Sequence, residues 1–425
     1  MTLAPITASN LSLADHIRPG DLVSWGQAMA EPLALIGMYT DQRHEIGPTR
    51  AFVGLSLSAV VAKEHTDLIK LVSYGALGGM MPLYNAGLVE LVPCRYSALP
   101  HLITNGRLRP DVLFIQISPP GPDGTHSLGW CNDVLPVAMR HARTVLAEIN
   151  PAVPWVRMDA PLDESRITAT IHSDLPLPRF TAPILGAIDT AIAGNLAPRI
   201  PDGATLQYGI GAIPSAILNA LKDHRDLGLH SGLITDEVAD LTESGALTNA
   251  RKAVLPGTSV GGVAIGSTKL ADFMAGNPGF RLCQTGFTHG ATQLAALSNL
   301  VAINSALEVD LLGQVNAEQV GTRYLGAIGG QPDFMRAASY AENGLSVIAL
   351  PATSGKSNRS RIVTRLNGPQ VTTGRYDVDL VVTEHGAADL RGLTVPDRAR
   401  ALINIAAPEH REDMAHTART AGITG

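Results

Sequence analysis

Short apolar runs bounded by Gly and Pro alternate along the 425-residue chain with stretches whose apolar residues recur at helical spacing, the signature of repeated strand–turn–helix units. The run from 204 to 249 is the clearest. Ala204 to Tyr208 predicts a buried strand, Gly209, Gly211 and Pro214 a tight turn, and Ser215 to Lys222 a helix. Such a unit turns backbone N–H groups of a helix N-terminus toward an anion or a polarised carbonyl oxygen. A second apolar strand, Leu227 to Ile234, ends at Thr235, Asp236 and Glu237. Acidic side chains therefore arrive where α/β sheets place their ligands, although a structural βαβ unit with a solvated acidic loop gives the same pattern.

The same order of turn, strand, glycine and helix occurs twice. Arg18 to Gln27 leads into a helix predicted over Ala28 to Met38, and Ile200 to Gly209 matches it, with Gly20 opposite Gly203 and Gly26 opposite Gly209. A second echo pairs Asp111 to Ser118 with Asp377 to Glu384, each an Asp-led apolar strand. Two halves of like architecture are expected, with turn formers shared by unrelated βα units as the competing explanation. The boundary is expected near 185, between the Pro-rich Leu175 to Pro178 and a helix over Ile188 to Leu196, giving domains 1–185 and 186–425.

Within the first half, Val112 to Ile117 is apolar on both faces and predicts an interior parallel strand ending in a Pro/Gly loop. Val134 to Glu148 predicts a helix that exits at Asn150 and Pro151. In the second half Leu300 to Val315 is strand-like, with Asn304, Glu308 and Asp310 at polar positions that suit either a satisfied network or a site. Gly326 to Phe334 predicts a loop whose glycines can bring backbone N–H groups against a ligand.

Composition narrows the function classes. A chain this long with 45% hydrophobic residues exceeds one ordinary core. A net charge of −6 without a basic block argues against nucleic acid as a partner. Cys94, Cys131 and Cys283 are odd in number and lack ligand spacing, so each is expected to be a small core residue in a reducing compartment, with no metal site. Neither a secretory h-region nor an apolar run of membrane-spanning length is present, which makes the cytoplasm the expected location and a membrane partner unexpected.

Several longer runs carry a resemblance. GATLQYGIGAIPSAIL, NSALEVDLLGQVNAEQVG, GGQPDF, SRIVTRL, VTTGRYDVDLVVTEHGAADLRG and RARALINIAAPEHRE, with DVLFIQISPPGPDGTHSLG and VLAEIN in the first half, resemble the acetyl-CoA hydrolase/transferase family, including the 4-hydroxybutyrate CoA-transferases. The resemblance covers nearly the whole chain. It implies two similar open α/β domains of the class I CoA-transferase type, an active site between them, and coenzyme A held mainly by the C-terminal domain. Acyl-CoA and a small organic acid are then the substrates, with no tightly bound cofactor, and a homodimer or higher homo-oligomer is expected.

Members of that family use a glutamate that attacks the thioester, forms a mixed anhydride, and is converted to a glutamyl-CoA thioester that a second carboxylate reopens. That glutamate lies in a His-Thr-Glu-Met run, where this chain reads His230, Ser231, Gly232 and Leu233. Glycine cannot form the adduct. The resemblance leaves Glu237 as a relocated nucleophile or a solvated acid, and Glu31 as a nucleophile beside Met29 in the acyl pocket or a helix first-turn acid. Gly232 and His289 would line the same pocket, His289 standing where the family tends to have asparagine. Glu45, Glu308 and Glu384 are weaker candidates, with His385 replacing a family tyrosine beside Glu384. Gly209, Gly211, Gly329 and Gly330 would offer N–H donors or close approach at the thioester carbonyl. Lys356, Ser360 and Arg361 occupy the segment that resembles the CoA-contacting loop, where cations could meet phosphates. Three activities fit: CoA transfer with a moved carboxylate, thioester hydrolysis in which Glu237 or His289 activates water, and acyl-CoA binding without turnover.

Overall fold

The computed structural model describes residues 11–321, 323–368 and 370–424, leaving the side chain of Lys356 outside the description. The chain divides into two units, one of residues 1–181, 232–236 and 260–288, the other of residues 182–231, 237–259 and 289–425. The chain first crosses from one to the other four residues before the division expected at 185, then returns twice.

The first unit is built on a seven-stranded sheet whose order is Val89–Leu91, Ile69–Ser73, Thr49–Phe52, Leu22–Trp25, Val112–Ile117, Thr144–Ile149 and Ala169–His172. Every pairing is parallel. Its central strands are buried along their whole length, as strands covered on both faces must be. In the core Trp25 stacks on Phe114 and Tyr39 meets both rings edge-on, which joins the sheet to the helix Leu33–Asp41. The first turn of that helix is satisfied from the sheet: Glu148, fully buried, accepts from the Ala34 and Leu35 amides at 2.9 and 3.2 Å. A carboxylate suits the positive end of the helix dipole.

Val134 to Glu148 is not one helix. It is the helix Leu135–His141 followed, after Ala142, by the strand Thr144–Ile149. The β-branched and apolar run Thr144, Val145, Leu146 fits between two parallel strands, and sheet burial prevails over helical spacing. The expected helix from Ala28 starts late for a related reason: Ala28 has φ of +55°, so a 3₁₀ turn at Ala28–Ala30 precedes the helix Leu33–Asp41.

The second unit carries a six-stranded sheet in the order Gly386–Asp389, Leu380–Thr383, Leu345–Ala349, Leu300–Ser305, Thr205–Tyr208 and Gly228–Leu229. All its pairings are parallel except the outermost, Leu380–Thr383 with Gly386–Asp389. Helices Gln331–Tyr340, Val395–Asn404 and Pro408–Thr420 pack over one core with Leu300, Ile348, Val381 and Leu402. The Thr394 hydroxyl accepts the Asp397 amide and caps the second of these, as a Ser/Thr N-cap does.

The expected repeat is present in topology, with one correction. In each sheet the first strand is followed by a glycine whose amide donates to the neighbouring strand: Gly26 to Phe114 O at 3.3 Å, Gly209 to Ile303 O at 3.0 Å. The counterpart of Val112–Ile117 is therefore Leu300–Ser305, next to the first strand, and not Leu380–Thr383, which lies two strands further out. The expected strand Leu227 to Ile234 is also divided: Gly228–Leu229 is the edge of the second unit's sheet, while Leu233–Ile234 pairs with Val263–Ala264 in the first unit. Of the cysteines, Cys131 and Cys283 are buried and all three are free, but Cys94 is only partly buried.

Candidate active site

In both sheets the polar and glycine-rich segments leave from the carboxyl ends of parallel strands, where open α/β sheets bind ligands. In the first unit, Gly26 leads to Gln27, Met29 and Glu31. Glu31 is 2% exposed and fully engaged. Its Oε1 accepts from Ser56 Oγ at 2.7 Å and Ser58 Oγ at 3.1 Å, and its Oε2 from the Leu57 and Ser58 amides at 2.9 Å each. Burial pushes its pKa up and these four bonds pull it back. Such a carboxylate organises the 56–58 loop. Met29 is buried beside it in the chain, at 5% exposure.

Gln27 belongs to a second buried cluster that the sequence did not flag. Its Nε2 and the Tyr96 hydroxyl both donate to Asp133 Oδ2 at 2.5 Å, and Tyr74 donates to Gln27 Oε1 at 2.8 Å. Burial and the Asp133 charge drive the Tyr96 phenol far above its ordinary pKa. Nothing in the spacing of residues 27, 74, 96 and 133 announces this; only the sheet brings them together.

Gly232 is partly exposed, and its carbonyl accepts from the Val263 amide at 3.0 Å and the Gly262 amide at 3.3 Å. Asp236, four residues on, is occupied by the Ser267 amide. Glu237 opens the helix Glu237–Glu243 in the second unit and is partly exposed. The segment before it is held from behind by a turn that sequence reading passed over. Asn249, with φ of +58°, accepts the Leu229 amide on its Oδ1 at 2.9 Å, and the buried Lys252 donates to Leu229 O at 2.7 Å and to Thr258 O. Side chains thus close an edge strand that no further strand covers.

Within the second unit, Gly209 gives its amide to Ile303, so close approach is what it offers a ligand; Asn304 Oδ1 would stand 3.6 Å from a β-carbon there. Asn304 and Gln207 pair amide to amide, Nδ2 to Oε1, at 3.0 Å. Gly211, with φ of +131°, precedes the helix Ala212–Asn219 and turns the chain sharply enough to require glycine. Gly329, at φ +57°, and Gly330 lead into the helix Gln331–Tyr340, and Gly330 O accepts the Asp333 and Phe334 amides. Against Gly330 lies His289. Its ring meets Phe334 edge-on with centroids 4.8 Å apart, and burial, with the neighbouring His230, lowers its pKa to about 3. His289 is therefore a neutral imidazole.

The third group surrounds Arg361. Burial lowers its pKa while Glu308 and Glu384 support its charge; its Nη1 donates to Ala306 O at 3.4 Å, and its buried Nε has no partner among the described residues. Glu384 accepts the Ala352 amide at 2.8 Å and lies 3.9 Å from His385 Nε2. Glu308 accepts from Asn316 at 3.3 Å. Ser360 donates its hydroxyl to Ile362 O at 2.7 Å. The side chain of Lys356 lies outside the described residues, while its backbone is in the 3₁₀ turn Gly355–Ser357. Arg361 keeps a guanidinium N–H to spare for an anionic substrate group, while Glu308 and Glu384 beside it offset part of its charge. Glu45, by contrast, lies in the short helix Arg43–Ile46, exposed.

Comparison with known proteins gives the family. The N-terminal domain of the acetyl-CoA hydrolase/transferase family matches residues 6–172 and its C-terminal domain residues 266–418. The 4-hydroxybutyrate coenzyme A transferase of Clostridium kluyveri is 37% identical over 401 residues, 92% of each chain. The crystal structure of RipA from Yersinia pestis superposes with a TM-score of 0.91 at 31% identity, covering 97% of this chain and 96% of that one. For a 4-hydroxybutyrate CoA-transferase from Porphyromonas gingivalis the TM-score is 0.81 at 31% identity, covering 98% and 97%. The chain belongs to the acetyl-CoA hydrolase/transferase family. It is an enzyme of the CoA-transferase kind, in a family whose curated relatives also include acetyl-CoA hydrolases.

Proposed function

We propose that the enzyme moves coenzyme A between a short-chain acyl-CoA and a small carboxylic acid, using Glu237 in place of the glutamate that Gly232 lacks. The observation that carries the transferase reading is the 37% identity to a 4-hydroxybutyrate coenzyme A transferase across 92% of the chain. Glu237 is preferred to Glu31 because it is partly exposed at a helix start, whereas either oxygen of the buried Glu31 already accepts two hydrogen bonds that lower its nucleophilicity. In the reaction, the Glu237 carboxylate adds to the thioester carbonyl and the C–S bond breaks, giving a mixed anhydride and CoA thiolate. The thiolate then attacks the glutamyl carbonyl and releases the first acid. The incoming carboxylate reverses these steps. Gly211, Gly329 and Gly330 would stabilise the oxyanions through backbone donors, and Ser360 and Arg361, with Lys356, would hold the CoA.

Hydrolysis is the second reading, supported by the acetyl-CoA hydrolases among the curated relatives, with Glu237 as the base that activates water; His289, its pKa lowered to about 3 by burial, is too weak a base for that role near neutral pH. Intact-protein mass after incubation with a short acyl-CoA, then borohydride reduction and peptide mapping, separates the two. An adduct on Glu237 is the expected result. Release of free thiol without an adduct, and without need of an acceptor acid, would establish hydrolysis instead; tight binding without thiol release would leave a binding protein.

A further inference from the structure

A cavity of about 160 Å³ in the first unit, sharing no residue with the candidate active site, is lined by Arg157, Arg281, His126, Thr125, Trp155 and Asp123. Two backbone features build it. Met158 and Leu282 form a parallel bridge, with the Leu282 amide donating to Arg157 O at 2.9 Å and the Asp159 amide to Leu282 O at 3.0 Å. Arg157 and Arg281 each precede a member of that bridged pair, so the two guanidinium side chains leave neighbouring positions on one face. Like charges so placed repel.

Their surroundings offset them only in part, through the charge of Asp123 acting on Arg157 without an ion-pair contact. Neither arginine forms an ion pair with a carboxylate among the described residues, and Arg281 Nε is buried without a hydrogen-bond partner. The one acid in the lining, Asp123, already accepts both the Thr125 amide at 3.0 Å and the Thr125 hydroxyl at 2.7 Å on a single oxygen. His126 is oriented by its Nδ1–H, which donates to the Ser118 carbonyl at 2.7 Å, and this leaves Nε2 uncommitted. Trp155 forms a fixed wall: its indole N–H donates to Thr125 O at 3.0 Å, and a β-carbon on Gly121 would stand 2.3 Å from Nε1, so only glycine lets the ring lie there. The result is a cradle with two guanidinium groups free of ion-pair contacts and an orphaned buried donor.

We infer that this cradle is a binding site for a phosphate-class oxyanion, with Arg157 and Arg281 holding its oxygens and Trp155 covering whatever small group it is attached to. Planar guanidinium groups match tetrahedral oxyanions by paired N–H donors. The inference does not rest on the reading of Glu237.

Titration of the purified enzyme with inorganic phosphate by ³¹P NMR line broadening and calorimetry tests it. Saturable binding is expected, weakened about tenfold or more in Arg281→Gln and in Arg157→Gln, since each removes a charge-assisted pair. Arg157 is exposed, so its variant keeps the test valid should the Arg281 variant fold poorly. Repeating the titration with saturating CoA identifies the source: competition assigns the site to a phosphate of CoA itself, and additive binding to a separate phosphate compound. Absence of saturable binding, or binding unchanged in both variants (an adventitious surface association), overturns the proposal.

Discussion

Nε2 of His289 occupies the space that a side chain on residue 330 would need: a β-carbon built on Gly330 falls 2.5 Å from that nitrogen and 2.8 Å from Cδ2 of the same ring. The ring cannot retreat freely, because Phe334 stands against it and only 5% of His289 is exposed. Gly330→Ala is therefore expected to destabilise the enzyme by about 1–3 kcal/mol through overpacking. Urea unfolding checks it. In the His289→Ala background most of that loss should disappear, because the clash is with the ring; an equal loss in both backgrounds would place the strain elsewhere.

The same ring sets a pH dependence. Its folded pKa of about 3 lies below the ordinary value of 6.5, so the unfolded chain binds a proton between those limits that the folded chain refuses. Stability supplied by the neutral ring is present above about pH 6.5 and falls as pH drops toward 3, with a limiting slope of about 1.4 kcal/mol per pH unit for one proton. Unfolding free energies measured between pH 7 and pH 4.5 should show a smaller slope in His289→Gln than in the parent. Equal slopes would mean that the ring is protonated in the fold.

How much of this was readable beforehand depended on the range of the interaction. The strand Val112–Ile117 and the turns at Gly26 and Gly209 follow from local pattern, because apolar runs and glycines act over a few residues. Thr144 to Ile149 misled for the opposite reason. Its spacing suits a helix, and only the neighbours Val112–Ile117 and Ala169–His172, distant in sequence, make it a strand. Around the candidate site, the turns at Gly211 and Gly329 follow from their local motifs, while Arg361 was marked only by the family resemblance. The occupied state of Glu31 could not, since its donors come from Ser56, Leu57 and Ser58 across the sheet edge. Asp133 carried no local signal at all.

Asp133 is accordingly a strong test of the first unit. With 2% exposure it accepts from both Gln27 and Tyr96, and Tyr74 depends on Gln27 in turn. Asp133→Ala would take the carboxylate acceptor from the Tyr96 hydroxyl and leave Gln27 Nε2 with the Tyr96 oxygen alone, and a buried donor that loses its partner costs about 1–3 kcal/mol. A loss of roughly 2–5 kcal/mol is expected in chemical denaturation. Tyr96→Phe, which removes one donor while leaving the acceptor bound to Gln27, should cost clearly less. The reverse order would show that the cluster is held by something other than the Asp133 carboxylate.

The proposed displacement of the nucleophile can be tested in both directions. If Glu237 forms the covalent intermediate, Glu237→Gln should lower turnover by at least about a thousandfold, as removal of a nucleophile does, with little change in melting temperature because the side chain is partly exposed. Gly232→Glu then asks whether the original position still faces the substrate. The backbone there is held through its carbonyl by the Val263 amide, a bond that a side chain does not replace. In the Glu237→Gln background, Gly232→Glu is expected to restore part of the turnover and to move the borohydride-sensitive adduct to residue 232. Should the double variant stay folded and inactive without an adduct, position 232 no longer points at the thioester; should Glu237→Gln alone retain full transfer, the carboxylate that forms the adduct is another one, and peptide mapping of that variant would find it.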